Sequence, residues 1–197
     1  MNIPNGLYVI SPAQILDISK FLIILERVFG EHDVAMFQLR LKGVSNEEIA
    51  WLARQMKPIC ERFRIPFILN DNPIIAKELD LDGVHIGERD AGLMVCRDIL
   101  GKDKIIGVSC YNSVESAYKL AKLGADYVSF GALYPTETKI VKSYCDVSVI
   151  KNFRVLDQKT PVCVIGGIKL ENMVHLIDGG ASLVAISSGI WGGYCVR

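Results

Sequence analysis

Val34-Ala35-Met36-Phe37-Gln38-Leu39-Arg40-Leu41-Lys42 starts as a nearly unbroken apolar run and ends by alternating polar and apolar residues. Such a run reads as a strand buried on both faces, as in parallel sheets covered by helices. Seven further short runs share its character: residues 7–10, 67–69, 83–86, 105–108, 127–130, 162–165 and 183–186. Each is mostly β-branched or aromatic and lies close to a Gly or Pro. The segments between them have helical period. Ser45-Asn46-Glu47-Glu48 is a capping box opening a helix toward Phe63, with Pro58 expected to kink or interrupt it. Asn112 with Glu115 is a similar signal before 117–123, and Gly124 is placed to stop that helix. Residues 170–177 carry helical spacing and end at Gly179-Gly180.

Eight strands alternating with helices fit either a closed barrel or an open doubly wound sheet. The count of eight favours an α/β fold of the (β/α)8 TIM-barrel type, as a single domain over 1–197. Only eleven residues follow Ile186, so the last helix is expected to be truncated.

Half the chain is apolar, enough to bury a substantial core. Lys and Arg total 22, as do Asp and Glu, so no global charge draws the protein to nucleic acid or an anionic membrane. No 18-residue apolar run exists; the segment 21–25 sits between Lys20 and Glu26 and suits an amphipathic helix. The N-terminus does not read as a signal peptide, which leaves a cytoplasmic protein as the expectation. Six scattered cysteines without a C-x-x-C pair, and three histidines without metal-site spacing, read as reduced buried thiols rather than disulfides or zinc. The oligomeric state stays open, a homo-oligomer included.

In a parallel barrel the strand C-termini share one face, where chemistry collects. Period two places Gln38, Arg40 and Lys42 on one side of the second strand and Leu39 and Leu41 on the other. If the leucines meet the helices, the three polar groups face the mouth, and two cations there call for an anion or carboxylates. The third strand exits at Asn70-Asp71, and the fourth at His85-Ile86-Gly87-Glu88-Arg89-Asp90. Neighbouring strands lie about 4.8 Å apart, so Asp71 and Asp90 are candidates to share one Mg²⁺; alternatively, either is a helix cap. His85 reads as an oriented core histidine without an assigned role. Ser109 closes the fifth strand, and Thr136, Thr138 and Lys139 follow the sixth as donors and a mobile charge. Gly166-Gly167-Ile168 and Ser187-Ser188-Gly189 follow strands seven and eight, where backbone amides beside helix N-termini make a phosphate cradle.

In order along the chain, Gln38-Leu39-Arg40-Leu41-Lys42, Asn70-Asp71, Asp82-Gly83-Val84-His85-Ile86-Gly87 with Asp90, Gly107-Val108-Ser109, Thr136-Glu137-Thr138-Lys139 and Ile165-Gly166-Gly167-Ile168 resemble the thiamine phosphate synthase family. The resemblance implies a transferase that joins hydroxymethylpyrimidine diphosphate to a thiazole phosphate and releases diphosphate with Mg²⁺. It implies pyrimidine diphosphate contacts from Gln38, Arg40, Lys42, Asn70, Ser109 and Lys139, of which Arg40, Lys42 and Lys139 would be catalytic. Asp71 and Asp90 would hold Mg²⁺. Thr136, Thr138, Gly167, Ser187 and Ser188 would hold the thiazole phosphate. The sequence departs from the family pattern at Glu88-Arg89 beside Asp90, at Lys169 in a common Thr position, across 140–145, and at Leu183 in a common Gly position. Rival readings are a thiazole tautomerase on the same barrel, a Schiff-base aldolase using Lys139, and a non-catalytic sensor of phosphorylated ligands.

Overall fold

A computed structural model of the chain describes residues 3–87, 92–135 and 144–194. Eight strands form a closed parallel barrel in sequence order: β1 Gly6–Ile10, β2 Val34–Leu39, β3 Phe67–Asn70, β4 Gly83–Ile86, β5 Ile105–Tyr111, β6 Tyr127–Phe130, β7 Val162–Ile165 and β8 Leu183–Ile186. Helices α1 Ile18–Glu31, α2 Asn46–Phe63, α3 Pro73–Glu78, α4 Leu93–Leu100, α5 Val114–Lys122, α6 Ser148–Leu156, α7 Leu170–Asp178 and α8 Ser188–Trp191 follow them in turn. The expected truncation is present: α8 is one turn long and passes into a 3-10 turn at Gly192–Tyr194. The choice between closed barrel and open sheet is settled by β1, which pairs with both β2 and β8.

Strand alternation sorts the side chains into two cores. Leu7, Val9, Phe37, Leu39, Val84, Val128 and Val184 face the helices. Tyr8, Ile10, Met36, Ile68, Ile105, Tyr127, Cys163, Leu183 and Ala185 fill the barrel interior, with Ile3 packed against them. The interior is therefore a packed solid rather than a pore. Leu183, at the position where the family often has Gly, is part of this filling.

Two sequence expectations about helices need correction. The helix α2 runs without interruption through Pro58, with Ser45 capping it by accepting the Glu48 N–H at 3.2 Å. Pro58 removes the donor for the Arg54 carbonyl, but it lies on the solvent side, while Ala53, Met56, Ile59 and Cys60 hold the opposite face to the barrel. Burial of that face outweighs one lost helical hydrogen bond. At α5 the cap is Ser113, not Asn112; its hydroxyl accepts the Ser116 N–H at 3.1 Å. Gly124, at φ +95°, ends that helix as expected.

The end of the barrel opposite the mouth is tied by a repeated device. Just before β4, the Asp82 carboxylate accepts the Phe67 N–H at 2.8 Å. Asp126, just before β6, accepts the Ile106 N–H at 2.7 Å, and Ser182, just before β8, accepts the Val162 N–H at 3.3 Å. Arg97 from α4 donates to Asp126 at 2.7 Å and to the Lys104 and Gly124 carbonyls. Arg154 from α6 reaches the Thr160 and Gly180 carbonyls and the Ser182 hydroxyl in the same manner. These groups hold strand starts in register and leave the other end to chemistry.

Candidate active site at the barrel mouth

Leu39 and Leu41 pack with the helix-side core, and Gln38 is buried on the other face of β2, which ends at Leu39 and leaves Arg40 and Lys42 in the loop that follows. The three polar groups differ in burial. Gln38 is 2 % exposed and donates from Nε2 to the Tyr8 hydroxyl at 2.6 Å. Arg40 is half-buried. Its backbone is pinned to the loop after β1, with the Arg40 N–H donating to Ser11 Oγ at 2.9 Å. Lys42 is exposed, with its own N–H donating to the Ala13 carbonyl at 3.1 Å. Burial draws the Arg40 guanidinium pKa down, and the carboxylate of Asp71 counteracts that shift across the mouth.

The strand β3 ends on Asn70, which pairs in register with His85. Asp71 follows with φ +65°, and its N–H donates to the His85 carbonyl at 2.9 Å. The capping alternative for Asp71 fails: α3 is capped by Asn72, whose side chain accepts the Ile75 N–H at 3.0 Å. The Asp71 carboxylate is thus exposed at the mouth beside Arg40 rather than engaged in a helix cap. A left-handed backbone at an aspartate beside a cationic cluster is the kind of local strain found at functional sites. The carboxylate chemistry fits a hard divalent cation. Asp90, its expected co-ligand, lies outside the described residues, as do Thr136, Thr138, Lys139, Glu88 and Arg89. The helix α4 has Gly92 at its N-cap position, with no side-chain cap.

Ser109 lies on β5 and meets His85 Nε2 at 2.9 Å, while His85 Nδ1 meets the Tyr127 hydroxyl at 2.9 Å. His85 is therefore an oriented histidine, in line with the sequence expectation. Tyr8 and Tyr127 went unsingled in the sequence. The signal was there: a phenol inside a continuous apolar strand needs a partner for its hydroxyl.

After β7, Gly166 and Gly167 adopt φ +104° and +64°. A Cβ on Gly166 would lie 2.4 Å from the Ala132 side chain, and one on Gly167 would lie 2.4 Å from the Pro135 carbonyl. The two glycines thus serve close docking of the loop after β6, sealed by the Tyr134 N–H donating to the Gly166 carbonyl at 3.0 Å. Ser187 follows β8 and donates its hydroxyl to the Ser11 carbonyl at 3.2 Å, so in this arrangement it offers an anion no hydroxyl proton. Ser188 is exposed at the start of α8. Lys169 cannot cap α7 with its ammonium; the Asn172 side chain accepts the Lys169 N–H at 3.0 Å and supplies half of a capping box.

The described site residues thus all sit at strand C-termini around one mouth: Gln38, Arg40 and Lys42 after or on β2, Asn70 and Asp71 at β3, Ser109 on β5, Gly167 after β7, Ser187 and Ser188 after β8. Among the described residues no helix is long and apolar enough to cross a membrane, and no group of three or more His, Cys, Asp or Glu is placed to hold a metal.

Comparison with known proteins agrees with this geometry. The family model described as thiamine monophosphate synthase matches residues 7–190. A thiamine-phosphate synthase of Pelagibacter ubique is 42% identical over 184 residues, covering 93% of this chain and 87% of the relative. One from Methylobacillus flagellatus is 40% identical over 187 residues, covering 95% and 88%. A solved thiamine phosphate pyrophosphorylase from Pyrococcus furiosus superposes with a TM-score of 0.78 at 26% identity, covering 95% of this chain and 87% of that one. The chain therefore belongs to the thiamine monophosphate synthase family, and it is an enzyme of the transferase class.

Proposed function

We propose that the chain joins 4-amino-2-methyl-5-hydroxymethylpyrimidine diphosphate to 4-methyl-5-(2-hydroxyethyl)thiazole phosphate, or its carboxylated form, giving thiamine phosphate and diphosphate. The observation that carries the reading is the pairing of a half-buried Arg40 with an Asp71 carboxylate released from helix capping, at a mouth where Gln38 and Ser109 rise from the floor.

The reaction is read as a dissociative substitution at the exocyclic methylene of the pyrimidine. Charge builds on the departing diphosphate. Arg40 is fixed by its backbone bond to Ser11 and partly desolvated, so its attraction for that charge is stronger than in open water. Lys42, exposed and on a flexible stem, follows the group as it leaves; Lys139 is assigned the same task. Mg²⁺ held by Asp71 and Asp90 would supply further positive charge at the leaving group. Gln38 and Ser109 hold the pyrimidine ring and Asn70 the diphosphate side. The thiazole phosphate is anchored by Thr136, Thr138, Gly167 and Ser188, with Ser187 contributing through its position rather than its hydroxyl. Its ring nitrogen is thereby held near the carbon that loses diphosphate, replacing a bimolecular encounter.

The test is incubation of the protein with both substrates, with and without Mg²⁺, followed by mass detection of thiamine phosphate. Product is expected only with Mg²⁺. Replacing Asp71 and Asp90 together with Ala should abolish Mg²⁺-dependent diphosphate release; full turnover in that double variant would overturn the metal assignment.

A further inference from the structure

Five side chains from five strands form one hydrogen-bonded line through the barrel interior. Gln38 Nε2 donates to Tyr8 Oη at 2.6 Å, and Tyr8 Oη lies 3.0 Å from Tyr127 Oη. The latter lies 2.9 Å from His85 Nδ1, and His85 Nε2 lies 2.9 Å from Ser109 Oγ. We infer that Tyr8, Tyr127 and His85 are positioning residues, a line of one-way hydrogen bonds that fixes the Gln38 amide and aims the Ser109 hydroxyl proton into the mouth.

The direction follows from counting protons. An amide nitrogen only donates. The Tyr8 hydroxyl, having accepted from Gln38, donates its single proton to Tyr127. Tyr127 then has its own proton to give, and His85 Nδ1 receives it. A neutral imidazole that accepts at Nδ1 carries its proton on Nε2, and that proton goes to Ser109 Oγ. Ser109 has accepted from below, so its own proton turns outward. With the Gln38 amide nitrogen facing Tyr8, reversing any later link would leave the buried Tyr8 proton unpaired, a state that costs free energy; each buried side-chain N and O among the described residues has a partner.

The phenols stay protonated throughout, because burial raises both of their pKa values. Packing holds the line still. The rings of His85 and Tyr127 stack at 5.6 Å, and those of Tyr8 and Tyr127 meet edge to face at 6.0 Å. Gly107 leaves the space that the Tyr127 ring occupies.

This inference rests on the proposed substrate contacts of Gln38 and Ser109, but one of its tests does not. In ¹⁵N NMR of the ligand-free protein at about pH 8, above the ordinary imidazole pKa, His85 should carry its proton on Nε2 with Nδ1 an acceptor. A proton on Nδ1 would overturn the direction. The second test is kinetic. Tyr127→Phe keeps the ring and removes one hydroxyl, and should lower kcat/KM for thiamine phosphate formation on the order of tenfold. In a Ser109→Ala background the same change should cost clearly less than it does alone, since its route through Ser109 is gone and only that through Tyr8 and Gln38 remains. Effects that multiply in full would show that Tyr127 does not act through Ser109. If the wild-type protein makes no thiamine phosphate, the proposed function falls and the tautomer still judges the line. If Tyr127→Phe fails to fold, the wild-type tautomer alone decides.

Discussion

Gly107→Ala places a methyl group where the Tyr127 ring now lies. The added Cβ would stand 1.9 Å from Cζ, 2.2 Å from Cε1 and 2.3 Å from the hydroxyl oxygen of Tyr127. Restoring the 3.4 Å of ordinary contact requires the ring to retreat by about 1.5 Å, the difference from the shortest of these distances. Tyr127 is fully buried and its hydroxyl is bonded at 3.0 Å to Tyr8 and 2.9 Å to His85, so such a retreat breaks both bonds. Overpacking costs about 1–3 kcal/mol, and the two broken buried hydrogen bonds add about 1 kcal/mol each. The total, about 3–5 kcal/mol, is a large share of the 5–15 kcal/mol typical of a domain. In urea, with an m-value of about 2 kcal/mol/M, the midpoint should fall by about 2 M. Circular dichroism at a series of urea concentrations reads this directly. Combining Gly107→Ala with Tyr127→Leu, which deletes the clashing atoms, should destabilise by less than the sum of the two single changes. A midpoint shift under about 0.5 M for Gly107→Ala would mean that the ring has room, and the packing account of the line would be wrong.

Three further outcomes are expected. Asp126→Ala strips the Ile106 N–H and Arg97 of a partly buried acceptor at the far end of the barrel, so it should cost about 2 kcal/mol in urea unfolding while leaving kcat/KM unchanged; a loss of activity in the folded variant would contradict the division of the barrel into a tied end and a working end. Burial raises the Asp157 pKa, but the Thr160 and Lys159 amides and the Thr160 hydroxyl hold it below the ordinary carboxylate value on balance. Its contribution to stability is therefore present above about pH 4 and is lost as pH falls further, so the stability gap between wild type and Asp157→Asn should close below that pH; a gap that widens on acidification would refute the sign. Burial pushes the thiols of Cys110 and Cys163 up to about 12 and that of Cys145 to about 11, and Cys60 and Cys96 are buried as well; a thiol reagent at pH 8 should leave these five unlabelled until the protein is unfolded, and rapid labelling of any of them in the folded state would contradict their burial.

All eight strands were legible in the sequence because each carries its burial locally, in a continuous apolar run that any parallel sheet flanked by helices demands. Within β2 the alternation of Gln38 with Leu39 was legible too, since period two depends on nothing distant, but the strand ends at Leu39 and the pattern does not carry on to Arg40 and Lys42. Caps were legible only in part. Ser45 was read correctly, but Asn112 and Ser113 are neighbours that both suit a cap, and backbone dihedrals choose between them. Pro58 does not interrupt the helix because its effect depends on which way it faces, and here it lies on the exposed side, where the freed carbonyl is open to solvent. The duty of Gly166 and Gly167 in docking the β6 loop was hidden for a similar reason: it concerns Ala132 and Pro135, reached only once the barrel closes.

The interior line was the least legible feature, and it bears most on function. Tyr8 and Tyr127 stand 119 positions apart and meet only because β1 and β6 face each other across a closed barrel. Their stabilising value does not account for them: leucine and phenylalanine would fill the same space with no hydrogen bonds to satisfy, and a polar network in a low-dielectric interior helps only when every member is paired. What the network supplies and an apolar filling cannot is direction. Gln38 and Ser109, left to themselves, would sample both amide orientations and all hydroxyl rotamers; joined through two phenols and an imidazole, each is held in one. The floor of this barrel is accordingly part of its site, and Tyr8→Phe, by appearance a conservative core change, should disturb substrate binding through Gln38 more than it disturbs folding.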